Sequence, residues 1–216
     1  MLSETEARER IVTLGRSMFE RGLTPGSSAN MSVRIADGWI ITPTNSCFGF
    51  LEANSLSKMD REGNLVSGEK PSKEFTLHRA MYDQRPDDTT VIHLHSTYAT
   101  LVSCMSGLDT QDMVTPLTPY LLMRLGRITL IPYFPPGDIR LADALREVAD
   151  RHAGVLMANH GPIVSASSPE AAMFNMEELE ESAKLMVLAK DLPVRAFTDA
   201  DIQELKDRYG ARNEPQ

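Results

Sequence analysis

The spacing of apolar positions divides the chain into alternating helical and extended stretches. From Ser3 to Arg21, Ile11, Leu14, Met18 and Phe19 recur at helical intervals among charged residues, and Gly22 ends the run. Residues 31–35 and 39–42 alternate instead, which predicts two short strands joined through an Asp37-Gly38 turn. A short strand at 56–59 and a Glu62-Gly63-Asn64 hairpin into Leu65-Val66 follow. Pro71-Ser72 opens a helix reaching Arg85, with Ser72 as its predicted N-cap and Glu74, Leu77, His78 and Met81 at helical intervals.

The second half of the chain has the same texture. Residues 89–95 form a β-branched strand, and the small apolar run 97–105 predicts a buried helix. Residues 112–118 are irregular, 119–124 suit a short helix and 128–131 a strand. The Pro-rich loop 132–138 carries two aromatics; such loops are often functional, although a rigid turn has the same composition. An amphipathic helix at 141–151 and strands at 155–159 and 163–165 then flank His160. Ser168-Pro169-Glu170 starts a long helix to about Lys190, whose methionine stripe suits core packing, and 198–209 is a last helix.

Composition narrows the class. With 216 residues, 42% hydrophobic and 24% charged, the expectation is a single domain spanning 1–216. A net charge of −8 argues against a nucleic-acid surface while leaving room for a local basic pocket. Cys47 and Cys104 form neither a disulfide framework nor a CxxC pair, which suits free thiols in a reducing cytosol. The acidic N-terminus has no signal-peptide pattern and no window reaches a membrane span, so a soluble cytoplasmic protein is expected.

Candidate chemistry concentrates in a few places. His93 and His95 alternate on one strand and would project from the same face, which is half of a metal site or, equally, two polar residues on a solvated face. A catalytic zinc needs about three protein ligands, and His160, at a strand end before Gly161-Pro162, supplies a third imidazole. His78 reads as a packed or surface histidine rather than a ligand. Gly26-Ser27-Ser28 and Thr42-Pro43-Thr44-Asn45-Ser46 are hydroxyl-rich loops flanking one hairpin, either plain connectors or anion nests facing one ligand. Ser72 and Lys73 at a helix start make a further candidate anion site, and Glu74 fits an ordinary acidic first turn as well as a catalytic role.

In this order, Gly-Ser-Ser-Ala-Asn-Met-Ser-Val-Arg from Gly26, Ile-Thr-Pro-Thr from Ile41, Pro-Ser-Lys-Glu from Pro71, His-Leu-His-Ser from His93 and Asn-His-Gly from Asn159 resemble the class II aldolase/adducin family across nearly the whole chain. The resemblance implies an α/β fold, a three-layer α/β/α sandwich around a mostly antiparallel sheet. It also implies a divalent metal, most often zinc, and a homotetramer with active sites at subunit interfaces. His93, His95 and His160 become metal ligands, and Glu74 an acid/base that also ligates metal in the empty site. Phosphate-holding positions fall on Ser27, Ala29, Asn30, Thr44, Asn45 and Ser72, and Tyr120 matches a tyrosine reaching a neighbouring subunit's site.

Departures from the aldolases refine the expectation. Ala29 and Asn45 stand where the aldolases carry Gly, and Lys73 where they carry Ser. With the Pro-Tyr-x-x-Pro-Gly-Asp run at 132–138, these variants resemble a branch that decarboxylates 3-oxo-tetronate 4-phosphates to dihydroxyacetone phosphate and CO2 through a metal-stabilised enediolate, Lys73 serving the extra carboxylate. A sugar-phosphate aldolase or epimerase of the fuculose or ribulose phosphate type is the alternative. A non-catalytic adducin-like head is disfavoured by the intact histidines and Glu74.

Overall fold

The computed structural model describes residues 1–209. The strands are β1 (Asn30–Ile35), β2 (Gly38–Ile41), β3 (Ser57–Asp60), β4 (Leu65–Ser67), β5 (Thr90–His93), β6 (Thr129–Ile131), β7 (Gly154–Met157) and β8 (Gly161–Ala166). They form one eight-stranded sheet in the order β4-β3-β2-β1-β5-β8-β7-β6. Every pairing is antiparallel except β6 with β7. The helices are α1 (Glu4–Glu20), α2 (Phe75–Gln84), α3 (Thr97–Ser103), α4 (Pro119–Arg124), α5 (Ile139–Ala149), α6 (Pro169–Leu188) and α7 (Asp199–Tyr209).

Period-2 alternation sorts the inner strands between two cores. Ile92, Leu94, Leu156 and Val164 pack with α1, α3 and α6 on one side of the sheet. Val91, Val155, Met157 and Ile163 pack with α2 and α5 on the other. The three layers of the expected α/β/α sandwich follow, and because β5, β7 and β8 are covered on both faces, every residue in them is buried.

Several boundaries depart from the pattern. Helix α2 starts at Phe75, with Glu74 rather than Ser72 in the cap position and no side-chain cap. Backbone pairing holds Ser72 back: its N–H donates to the Thr42 carbonyl at 3.2 Å, and Pro71 bridges Pro43. That ties 71–72 to the sheet instead of the helix. Strand β5 ends at His93, and β7 at Met157. The β1–β2 turn centres on Ala36 and Asp37, with Gly38 already in β2; a Cβ there would sit 1.9 Å from the Met59 carbonyl oxygen. Helix α3 is only half covered: Ala99, Val102 and Ser103 are buried while Leu101 is exposed.

Candidate active site

Strand pairing brings the candidate ligands together. β1 and β8 flank β5, placing Asn30 opposite His93 on one side and Ile163 opposite it on the other. The β7–β8 hairpin turns through 158–160, where Asn159 takes a left-handed φ of 55° and the His160 N–H closes on the Met157 carbonyl at 3.0 Å. His160 therefore stands at the hairpin tip beside the end of β5. Past that end, α3 begins, and Glu180 of α6 accepts both the Tyr98 and Ala99 N–H groups at 2.8 Å. This carboxylate, not the Ser96 side chain, caps the helix that follows His95.

The three imidazoles face one point. Their ring centroids are 4.8 to 5.0 Å apart and mutually edge-on, with one ligand atom from each lying within 4.8 Å of the others. The His93 Nδ1–H donates to the Pro162 carbonyl at 2.8 Å, leaving an Nε2 lone pair aimed inward, 3.1 Å from the His95 Nε2. The Glu74 carboxylate closes the set, with Oε1 3.2 Å from the His160 Nε2 and Oε2 3.5 Å from the His93 Nε2. Converging lone pairs and a carboxylate around one point are the donor set of a cation, so these residues fit a divalent metal.

Electrostatics keep the donors ready. Burial pushes the His93 pKa down, Glu74 opposes that, and the net value is about 4. His95 is lowered too, chiefly by burial. Burial raises the Glu74 carboxyl, but the charges of His93 and His160 and hydrogen bonds from His160 and Asn30 outweigh it, so it is held well below the usual carboxylate range. Lowered pKa values at His93 and His95 and at the Glu74 carboxylate favour the deprotonated forms that metal binding requires.

Above this cluster opens a cleft of about 530 Å³. Ser27, Ala29, Asn30, Thr44, Asn45, Ser72, Lys73, Glu74, His95 and His160 all line it, so both hydroxyl-rich loops face one space. Bonds from Thr44 N–H to the Lys70 carbonyl and from Ser72 N–H to the Thr42 carbonyl hold the second loop against the start of α2. Asn45 sits at φ 59°, a left-handed conformation that glycine adopts freely and asparagine tolerates. Tyr120 lies outside the cleft and is exposed. His152 is remote, bonded to the Arg127 carbonyl.

Thr100, Tyr133, Phe134, Pro136, Gly137 and Asn159 also line the cleft without having been singled out as site residues. The aromatic Pro-rich loop was the visible signal for four of them. Thr100 carries none, being one small residue in an apolar helix.

A family model described as the class II aldolase and adducin N-terminal domain matches residues 9–187. The chain belongs to this family. The 3-oxo-tetronate 4-phosphate decarboxylase of Pectobacterium atrosepticum is 48% identical over 204 residues, covering 94% of each chain. The L-fuculose phosphate aldolase of Methanocaldococcus jannaschii is 32% identical over 182 residues, 84% of this chain and 96% of that protein. Among solved structures, YgbL from Klebsiella pneumoniae aligns with a TM-score of 0.92 at 42% identity, covering 95% of this chain and all of its own, 100%. Membership in this family accounts for the sandwich fold.

Proposed function

We propose that this protein is a metal-dependent lyase that decarboxylates a 3-oxo-tetronate 4-phosphate to dihydroxyacetone phosphate and CO2. The observation that carries the reading is the His93, His95, His160 and Glu74 cluster at the floor of a cleft rimmed by hydroxyls, amides and one lysine. The greater similarity to named decarboxylases than to fuculose phosphate aldolases supports the choice of reaction. His93, His95 and His160 would hold the ion, with Glu74 available as a further ligand; nitrogen donors favour zinc. A divalent ion held there supplies Lewis-acid stabilisation of negative charge on the substrate's carbonyl oxygen.

The chain's residues do the rest. Ser27, the Ala29 N–H, Asn30, Thr44, Asn45 and Ser72 bind the phosphate, and Lys73 binds the carboxylate. When the C1–C2 bond breaks, CO2 leaves and the electron pair passes into the C2–C3 enediolate. C2 then takes one proton, so the reaction consumes a proton from solvent, and Glu74, ionised at rest, relays it. Tyr120, turned away from its own cleft, contributes to the site of a neighbouring subunit in a homotetramer. The free thiols of Cys47 and Cys104 suit a cytoplasmic enzyme, and no helix among the described residues is long and apolar enough to cross a membrane.

The test couples dihydroxyacetone phosphate formation to its reductase while CO2 and aldehyde are measured. CO2 without aldehyde is the expected result. Aldehyde release from a sugar phosphate, without CO2, would replace this reading with an aldolase.

A further inference from the structure

A continuous line of hydrogen bonds runs behind Glu74 from Asn30 on the cleft wall to His78, Ser32 and Tyr82, which lie outside the cleft. The Asn30 Nδ2 donates to the Glu74 Oε2 at 2.7 Å, and the Asn30 Oδ1 lies 2.5 Å from the His78 Nε2. The His78 Nδ1 is 2.7 Å from the Ser32 Oγ, which is 2.9 Å from the Tyr82 hydroxyl. The Tyr82 hydroxyl ends the line, its one proton shared between the Ser32 Oγ and the Ser32 carbonyl oxygen 3.0 Å away. Two periodicities build this line: Asn30 and Ser32 alternate on β1, while His78 and Tyr82 are one turn apart on α2.

The carboxylate end of the line fixes the sense of donation. An ionised carboxylate is an acceptor, so Asn30 must present its NH2 group to Glu74 and its carbonyl oxygen to His78. His78 must then carry its proton on Nε2, and its Nδ1 must accept from the Ser32 hydroxyl. The reversed sense would put the Asn30 carbonyl against the carboxylate. Burial keeps His78 neutral, with a pKa pushed down to about 3, so the ring has one proton to place.

We propose that His78 is a positioning residue: its Nε2–H locks the Asn30 amide, and that amide holds the Glu74 carboxylate with Oε2 occupied and Oε1 directed at His160. The assignment rests on the reading of Glu74 as the proton relay and extends it to a residue outside the cleft. It also gives Asn30 a duty beyond phosphate contact, since its carbonyl oxygen and one amide hydrogen are already engaged.

The test has two arms. In the first, the zinc-loaded enzyme is assayed for CO2 release from 3-oxo-tetronate 4-phosphate. His78→Leu is expected to lower kcat by about 10- to 100-fold with KM near wild type. His78→Gln, whose amide nitrogen reaches the place of Nε2, restores most of that loss. Unchanged kcat in the leucine variant, or equal loss in both, overturns the proposal. The second arm needs no variant to fold: nitrogen NMR of the wild type with labelled histidine is expected to show His78 as the Nε2–H tautomer at neutral pH. An Nδ1–H tautomer overturns the proposal whether or not CO2 is released. If the wild type releases no CO2, the proposed function fails and the tautomer alone decides the role of His78.

Discussion

Gly161→Ala is the substitution whose effect can be worked most directly from the geometry. Gly161 follows His160 at the hairpin tip, and its φ of 145° is one that side chains rarely adopt. A Cβ there would lie 2.6 Å from the Leu94 carbonyl oxygen, between His93 and His95, and 3.1 Å from the Thr100 Oγ1. Ordinary contact begins at 3.4 Å, so the hairpin must retreat by about 0.8 Å from the end of β5. Metal–ligand distances tolerate only about 0.2 Å. The metal-free variant can relax by letting His160 drift away; binding must draw it back against a strain of about 1–3 kcal/mol.

Zinc affinity should therefore fall roughly 10- to 100-fold, since each 1.4 kcal/mol is about tenfold. Chelator-competition titration reads this directly, and thermal unfolding of the metal-free form checks that the fold persists. At free zinc about 100 times the wild-type Kd, wild type gains about 2.7 kcal/mol of stability, whereas a variant weakened a hundredfold gains only about 0.4 kcal/mol. Wild-type affinity in Gly161→Ala would show that the hairpin yields without moving His160, and would refute the argument.

Other outcomes follow from the same contacts. Glu180→Gln keeps the shape but loses the charge that accepts the Tyr98 and Ala99 N–H groups, so urea unfolding should show a loss of about 1–3 kcal/mol, with weaker zinc binding through His95. Wild-type values for both would remove Glu180 from the support of the site. In the metal-free protein, the pKa values of His78 and His93 are lowered from 6.5 to about 3 and about 4, so the unfolded chain binds more protons between those values and 6.5. Stability should be full above pH 6.5 and decline as pH falls below it, by up to about 1.4 kcal/mol per pH unit for each histidine. His78→Leu should reduce that slope by one histidine's share, and a flat profile in wild type would contradict the burial of neutral imidazoles. Lys73→Ser should raise KM for the carboxylated substrate more than it weakens inhibition by dihydroxyacetone phosphate; equal effects would reassign Lys73 to the phosphate.

Much of this molecule was readable from the chain alone. The His-Leu-His spacing singled out His93 and His95 together, although β5 ends at His93 and His95 lies beyond it; the turn residues placed His160 at a strand end, and the ordered motifs tied these to Glu74 and to two hydroxyl-rich loops. Such features are local: a period of two or 3.6 says which face a side chain takes, and a Gly-Pro turn says where a strand stops. The boundaries that went astray were those where distant pairing overrode local signal. Ser72 looks like a cap until the Pro43–Pro71 bridge draws it to the sheet, leaving Glu74 at the helix entrance.

Which strands become neighbours was decided only in the tertiary structure. The β1-β5-β8 order sets Asn30 on one side of His93 and the His160 hairpin on the other. No residue pattern encodes that order, because it depends on contacts between segments tens of residues apart. His78 is the packed histidine the sequence suggested, and the packing of α2 on β1 sets its ring between Asn30 and Ser32. The same order also swung Tyr120 away from the cleft and brought Thr100 and the aromatic loop onto its wall. Periodicity assigns each side chain a face; pairing and packing decide what that face meets.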